Sequence, residues 1–178
     1  MRIFYRVRQF WQALTSTPDR QDLEQARQVL SPSLLALFWR MQASEQKHGL
    51  AIMHQLHAQG ETNPDLMVAI LLHDVGKTRY PLNPWERVII VLGRLLMPVQ
   101  VARWGQASPI SWKRPFVVAE QHPAWGAELA EQAGASPLAV RLIRQHQDRP
   151  VLTSPLLKVE SQLEIQLLQR LQLFDDHN

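Results

Sequence analysis

Histidine and aspartate side chains that could bind a metal ion occur at five places along this 178-residue chain. The most distinctive is the segment LLHDVGK at residues 71–77, which ends an apolar stretch. His73 and Asp74 place a nitrogen ligand beside an oxygen ligand, Gly76 permits a sharp turn, and Lys77 leaves a cation close by. Because a single His-Asp pair is typical of many polar helix ends, the other four places decide its meaning.

Four further residues extend this pattern on both sides. His48, which opens a predicted helix, precedes the pair, and His122 follows it in the segment HPAWGAELA. His146 ends a predicted helix, and Asp175 closes the last predicted long helix. The chain therefore offers an ordered series of imidazole and carboxylate groups spread over several helices.

The composition limits how such groups could act. The chain has no cysteine, which excludes disulfides, thiolate metal centres and a thiol nucleophile. One or two divalent ions would be bound by imidazole and carboxylate alone, and these ligands leave iron, manganese, zinc, nickel, cobalt and magnesium open. With 46% hydrophobic and 20% charged residues, the chain can bury a core of its own.

The ordered set His, His-Asp with Gly-Lys, His, His and Asp resembles the HD-domain superfamily of metal-dependent phosphohydrolases. The resemblance runs from about residue 48 to residue 175, is strongest in LLHDVGK and HPAWGAELA, and is weak in the first 40 residues. It implies an all-helical fold whose motif residues converge on one or two metal ions. The implied ligands of the first ion are His48, His73, Asp74 and Asp175. Asp74 would bridge to a second ion, completed by His122 and His146.

The same resemblance implies cleavage of a phosphoester or phosphoanhydride, of a nucleotide for example, by attack of metal-bound hydroxide. Lys77 is the best candidate to neutralise charge on the phosphoryl oxygens, and Arg144 and Arg149 are further substrate-binding candidates. Asp148 is a candidate proton donor or acceptor, and a solvent-facing role is the favoured alternative for it. The substrate stays open, because nucleotides, dinucleoside polyphosphates, cyclic or alarmone nucleotides and other phosphomonoesters all suit the superfamily.

Two neighbouring acids compete for the last ligand position. Asp175 extends the apolar face formed by Leu168 and Leu171, whereas Asp176 continues a polar face. The spacing therefore favours Asp175. Its neighbour Phe174 departs from the family pattern, in which a small residue usually precedes this aspartate.

The remaining expectations for histidines rest on local context. His122 precedes Pro123 and is expected at a helix N-terminus, where the helix dipole would keep its ring neutral and ready to bind a metal. His54, His57 and His177 are expected to be surface or helix-packing residues.

Proline placement predicts the elements that must position these groups. A polar residue followed by proline marks a helix start, because the first helical position needs no amide hydrogen. Six such pairs occur: Thr17-Pro18, Ser31-Pro32, Asn63-Pro64, Asn83-Pro84, Ser136-Pro137 and Ser154-Pro155. Gly60, Gly76 and Gly134 fall where the preceding helices should end. The β-branched run at residues 88–91 is predicted to be helical, because it follows one of these starts. We therefore expect an all-α, single-domain bundle of about eight helices.

Boundaries and location follow from the same patterns. Residues 1–40 are predicted to form a helical extension packed on a domain of residues 41–178. The start of the chain lacks the uninterrupted apolar core of a signal peptide. The apolar stretch from Val88 to Ala102 contains Arg94 and Pro98 and is too short to span a bilayer. We therefore expect a cytoplasmic protein.

The distribution of charge suggests partners. Residues 75–115 carry seven Lys and Arg residues against Glu86 alone, which favours an anionic partner such as a small phosphorylated substrate. Nucleic acid is not expected, because no reading motif is present. A metal-containing module that senses a nucleotide without hydrolysing it is the alternative function.

A membrane surface is a further possible partner. The segment Trp85–Trp104 and the N-terminal helix, with Arg2, Arg6 and Arg8, could both lie on anionic lipid. An ordinary packed amphipathic helix or a dimer contact would explain the same two segments.

Overall fold

The computed structural model describes residues 17–148 and 159–177, and this part of the chain is helical without strands. Its nine α-helices are α1 (Arg20–Val29), α2 (Pro32–Arg40), α3 (Ala43–Ala58), α4 (Pro64–Leu72), α5 (Pro84–Leu96), α6 (Pro98–Gly105), α7 (Arg114–Gln132), α8 (Pro137–Gln145) and α9 (Val159–His177). A 3-10 turn, Val75–Arg79, follows α4. The predicted all-α class is confirmed.

Four of these helices begin where a polar residue precedes proline. Helices α2, α4, α5 and α8 all have proline as their first residue. Asn63 accepts a hydrogen bond from the Leu66 amide at 3.0 Å, and Ser136 accepts one from the Ala139 amide at 3.1 Å. These caps satisfy amides that have no partner within the helix.

Two other predicted starts have different outcomes. Helix α1 begins at Arg20, two residues later than the Thr17-Pro18 pair predicts, because Asp19 is its cap and accepts from the Asp22 amide at 2.8 Å. The pair at residues 154–155 and the predicted N-terminal helix within residues 1–16 lie outside the described residues.

The main core surrounds α4, whose side chains are apolar on nearly every side. Leu66, Ile70 and Leu71 of this helix are fully buried, and α3 and α8 pack against it. A helix that is apolar all round belongs in the centre of a fold. Ala26 of α1 and Phe38 of α2 belong to the same core, so the helices of residues 20–40 share it with the rest of the domain.

A second, smaller core lies between α5, α6 and α7. It contains Ile90, Val101 and Phe116, with Trp104 packed beside them. The run at residues 88–91 is helical as predicted, with Ile90 facing this core. No helix in the described ranges has both the length and the apolar character needed to cross a membrane.

The 3-10 turn touches α7 through Gly76. A β-carbon on Gly76 would lie 2.0 Å from the His122 carbonyl oxygen and 2.7 Å from the Gly126 amide nitrogen. Gly60 and Gly134 follow the ends of α3 and α7, as predicted, and have positive φ, whereas Gly76 lies in the 3-10 turn beyond α4 and does not have positive φ. Its importance is instead the close backbone approach, which brings the His73-Asp74 pair against α7.

We expect Gly76→Ala to lower the free energy of unfolding by about 3 kcal/mol, because the added methyl group would have to push two backbones apart. Denaturant unfolding followed by circular dichroism measures this change. Gly134→Asn is the matched control, since asparagine tolerates positive φ and no atom lies near that site. Equal stability of the two variants would contradict the close-approach role.

Candidate metal centre

Helices α3, α7 and α9, together with the residues that follow α4 and α8, bring the six predicted ligands to one place. They form two groups, and within each group the ligand atoms all lie within 4.8 Å of one another. The first group is His48, His73 and Asp175, and the second is Asp74, His122 and His146. Residues far apart in sequence are thus brought together by the fold.

The first group joins α3, the end of α4 and α9. His48 Nε2 lies 2.7 Å from Asp175 Oδ1, and His73 Nε2 lies 3.3 Å from the same oxygen. Asp175 therefore occupies the position that its spacing with Leu168 and Leu171 favours. The side chain of Asp176 lies outside the described residues.

The second group lies immediately beside the first. Asp74 Oδ1 is 3.3 Å from His122 Nε2, which in turn is 3.3 Å from His146 Nε2. Asp74 Oδ1 is also 3.7 Å from His73 Nε2. Asp74 therefore clusters with His122 and His146, while its carboxylate also faces the first group.

Three of the four rings are oriented by backbone carbonyl groups. His73 Nδ1 lies 2.7 Å from the Ile70 oxygen, His122 Nδ1 lies 2.9 Å from the Val118 oxygen, and His146 Nδ1 lies 2.8 Å from the Ile143 oxygen. A carbonyl oxygen can only accept a hydrogen bond, so each Nδ1 carries a proton. In its neutral form each ring then presents a bare lone pair on Nε2, directed towards the other ligands.

When every ring is neutral, this arrangement brings hydrogen-bond acceptors together with no proton between them. When neutral, His122 and His146 direct two lone pairs at each other, and His73 Nε2 is buried without a well-formed hydrogen bond. Metal-binding histidines characteristically donate their other ring N–H to a backbone carbonyl or carboxylate. The donor set therefore fits a divalent cation, which would satisfy all these lone pairs together.

The pKa shifts keep two rings ready to bind. Burial, followed by repulsion from His73 and His122, lowers the pKa of His146 to about 3. Burial and then the Lys77 ammonium lower the pKa of His122 below its ordinary value. Both rings are therefore neutral at pH 7, as a metal ligand must be.

The predicted reason for the neutrality of His122 is wrong. His122 lies inside α7, not at a helix N-terminus, and Pro123 is an internal residue of the same helix. Proline cannot donate to the Ala119 carbonyl, but Arg94 Nη2 of α5 approaches that oxygen at 3.4 Å. Helix α7 thus continues through the proline with tertiary contacts on both sides of it. Burial, not a helix dipole, is the main cause of the lowered pKa of His122.

His48 also lies at a different place in its helix from the one predicted. Helix α3 begins at Ala43 instead of at His48, because Gln42 precedes the first turn and its amide donates to Glu45 at 3.2 Å. His48 is therefore one turn further into the helix. From this position its ring reaches α9.

Opposite charges balance within the buried cluster. Burial would raise the pKa of the Asp74 carboxyl, but Lys77, His73 and His122 outweigh it and hold that pKa well below its usual range. Burial would likewise lower the pKa of His73, but Asp74 and Asp175 raise it to about 9. The metal-free protein at pH 7 therefore balances two carboxylates with the His73 imidazolium and Lys77, whose Nζ lies 2.7 Å from Asp74 Oδ1.

Glu45 is a buried charged residue near this cluster that the sequence did not single out. Its Oε1 pairs with Arg87 Nη2 at 2.8 Å, and both side chains are largely buried. Burial and then the Asp74 carboxylate raise the pKa of Glu45, against Lys77 and Arg87. The spacing of Gln42 and Glu45 indicates a helix start in the sequence. The pairing of Glu45 with Arg87, which lies two helices later, is visible only in the fold.

Two cavities open beside the ligands. The larger, about 620 Å³, is lined by His146 and Asp175 together with Arg94, Arg144 and Asp148. The smaller, about 220 Å³, is lined by Lys77, Arg87 and His122, and Arg94 borders both. Such volumes suit small ligands, and the cationic side chains suit anionic ones.

Not every sequence candidate can be placed at this site. Arg144 and Asp148 line the larger cavity, whereas Arg149 lies outside the described residues. Sequence reasoning missed Arg94, because nothing in the sequence indicates that it points towards α7.

The other histidines stand apart from the two groups. His54 Nε2 lies 2.7 Å from Gln25 Oε1, which ties α3 to α1, and His57 is exposed. The side chain of His177 lies outside the described residues. This placement agrees with the packing or surface roles expected for His54 and His57.

Comparison with protein-family models, with curated proteins and with solved structures gives no match for this chain.

Metal loading of the purified, chelator-treated protein should reach two Mn²⁺ ions per chain in equilibrium dialysis. His146→Ala should bind one ion at most, because it removes a ligand of the second group. Each bound ion should also raise the free energy of unfolding by about 2.7 kcal/mol at 100 times its Kd. His54→Ala is the control and should bind like the wild type. Unchanged binding by His146→Ala would contradict the site.

Metal affinity should rise with pH between 6 and 9. The metal-free protein holds a proton on His73, whose pKa is raised to about 9, and this proton must leave before Nε2 can bind a metal. Affinity should therefore change by about tenfold per pH unit below pH 9 and level off above it. Calorimetry in buffers of different ionisation enthalpy counts the released proton. A constant affinity without proton release would contradict this view of His73.

Proposed function

We propose that this protein is a divalent-metal-dependent phosphohydrolase that cleaves a phosphoester or phosphoanhydride of a small substrate such as a nucleotide. The observation that carries the proposal is the pair of adjoining ligand groups, with His48, His73 and Asp175 on one side and Asp74 beside two histidines on the other. Two adjoining cation sites are a common arrangement for in-line displacement at phosphorus.

The charges around the two cavities support a phosphorylated substrate. Arg94 and Arg144 line the larger cavity, and Lys77 lines the smaller one. A phosphoryl group carries negative charge on several oxygens, and that charge must be neutralised during transfer. A cavity of about 620 Å³ has room for a nucleotide-sized ligand.

The proposed roles of the residues follow from their placement. Bound divalent ions would supply Lewis-acid chemistry and an activated water. Lys77, through Nζ, would hold Asp74 in its ionised form and face the phosphoryl oxygens. Arg94 and Arg144 would orient the substrate. Hydrolysis adds water across the P–O bond, so a proton must reach the leaving oxygen, and the Asp148 carboxyl at the larger cavity is placed to exchange it.

Phosphate release over a panel of nucleotides and phosphoesters, in the presence of Mn²⁺ or Co²⁺, tests the proposal. Asp74→Asn keeps the side-chain volume but should lower kcat/KM by about 10³-fold or more, because it removes the buried carboxylate between the two groups. Arg144→Ala should raise KM more than it lowers kcat. His54→Ala, remote from the cluster, should keep wild-type activity.

Two results would contradict the proposal. Tight nucleotide binding without turnover under any metal would favour the alternative, a non-hydrolytic nucleotide-sensing module. Equal activity in Asp74→Asn and the wild type would trace the phosphate release to a contaminant.

A further inference from the structure

The outward side of α5 and the start of α6 carry an unusual concentration of exposed apolar side chains. We call this surface the apolar face, and it consists of Ile89, Val91, Leu92, Leu95, Leu96 and Val99. Leu95 and Leu96 are 74% and 70% exposed. The spacing of three and four residues makes these side chains neighbours on one surface, and contiguous exposed apolar patches typically mark an interaction site.

Every charged residue of α5 turns away from this face. Glu86 pairs with Arg114, and Arg87 pairs with Glu45. Arg94 reaches the Ala119 carbonyl and borders the cavities. The charged residues of α5 thus lie on the side that faces α3 and α7, and the opposite side carries the exposed apolar side chains.

The inner side of α5 is already occupied. Ile90 belongs to the smaller core, and a β-carbon on Gly93 would lie 2.6 Å from a ring carbon of Phe116. The helix therefore cannot rotate to bury the apolar face without giving up this packing. The described residues, 17–148 and 159–177, therefore leave the apolar face exposed.

The charge of the residues near the apolar face indicates which kind of partner would cover it. Residues 84–114 contain one acidic residue, Glu86, and it is paired with Arg114. Of the basic residues in this segment, Arg103 is exposed and Lys113 lies over the ring of Trp112. Trp112 is itself 68% exposed. A second copy of the chain would bring the same positive charge against itself, whereas an anionic lipid surface would neutralise it.

We propose that the apolar face docks this protein on the surface of an anionic phospholipid bilayer, with α5 lying along the interface. Helix α5 is 13 residues long and cannot cross a bilayer, so the bound state lies on the membrane. The inner side of the same helix contributes Arg94 to the cavities, so docking would place the cavities close to the lipid surface. The proposal does not depend on the proposed hydrolytic activity.

Sedimentation of the full chain with vesicles of phosphatidylcholine containing about one third phosphatidylglycerol tests the proposal at low salt. The wild type should co-sediment, and pure phosphatidylcholine should retain little protein. Leu95→Asp combined with Leu96→Asp should lower the partition coefficient at least 20-fold, because both exposed side chains lose their apolar contact. Leu163→Asp changes an exposed leucine of α9 and should bind like the wild type.

A second pair of variants separates charge from apolar contact. Arg103→Glu combined with Lys113→Glu should lower binding at least 25-fold at low salt, since each basic residue at an anionic surface contributes about a fivefold change. Arg20→Glu combined with Arg40→Glu makes the same charge change on α1 and α2 and should have a small effect. Unchanged circular dichroism spectra establish that the variants fold.

Three results would overturn the proposal. The first is no wild-type co-sedimentation at low salt. The second is equal binding by the wild type and the Leu95/Leu96 variant. The third is a wild-type dimer in analytical ultracentrifugation that this variant dissociates, without vesicle binding, which would assign the apolar face to a second copy of the chain.

Discussion

The buried carboxylate of Asp74 is the constraint on which the rest of the site depends. An ionised carboxylate in a protein interior is stable only beside compensating charge, and here the Lys77 ammonium and the His73 imidazolium supply it. The 3-10 turn holds Lys77 one turn beyond Asp74, and Gly76 lets the turn approach α7 closely enough to bring His122 into range. The close packing at Gly76 and the ionised state of Asp74 therefore depend on the same turn.

Local signals in the sequence were sufficient to predict the helical class and many of the helix starts. Polar-proline pairs mark the starts of four helices because capping is a short-range interaction, and the His73-Asp74 pair is recognisable from adjacent residues. Asp175 could be chosen over Asp176 because helical spacing alone assigns it to the apolar face.

Interactions between distant residues account for what the sequence did not predict. Pro123 looks like a helix start, yet α7 continues through it, and the contact of Arg94 with the Ala119 carbonyl is visible only in the fold. The pairing of Glu45 with Arg87 joins α3 to α5, and neither residue carries a local sign of it. The Nδ1 contacts of His73, His122 and His146 are local, to carbonyl groups three or four residues earlier, but the meeting of these rings in one cluster depends on the fold.

The most direct test of the account is the anomalous difference density of crystals grown from Mn²⁺-loaded protein. Asp74, His122 and His146 should surround one peak, and His48, His73 and Asp175 should surround another, at a separation of about 3.5–4 Å. Each imidazole should contact its ion through Nε2, while His73, His122 and His146 keep their Nδ1 bonds to the backbone. Manganese density elsewhere, with only water between these six side chains, would contradict the assignment of this cluster as a two-metal centre.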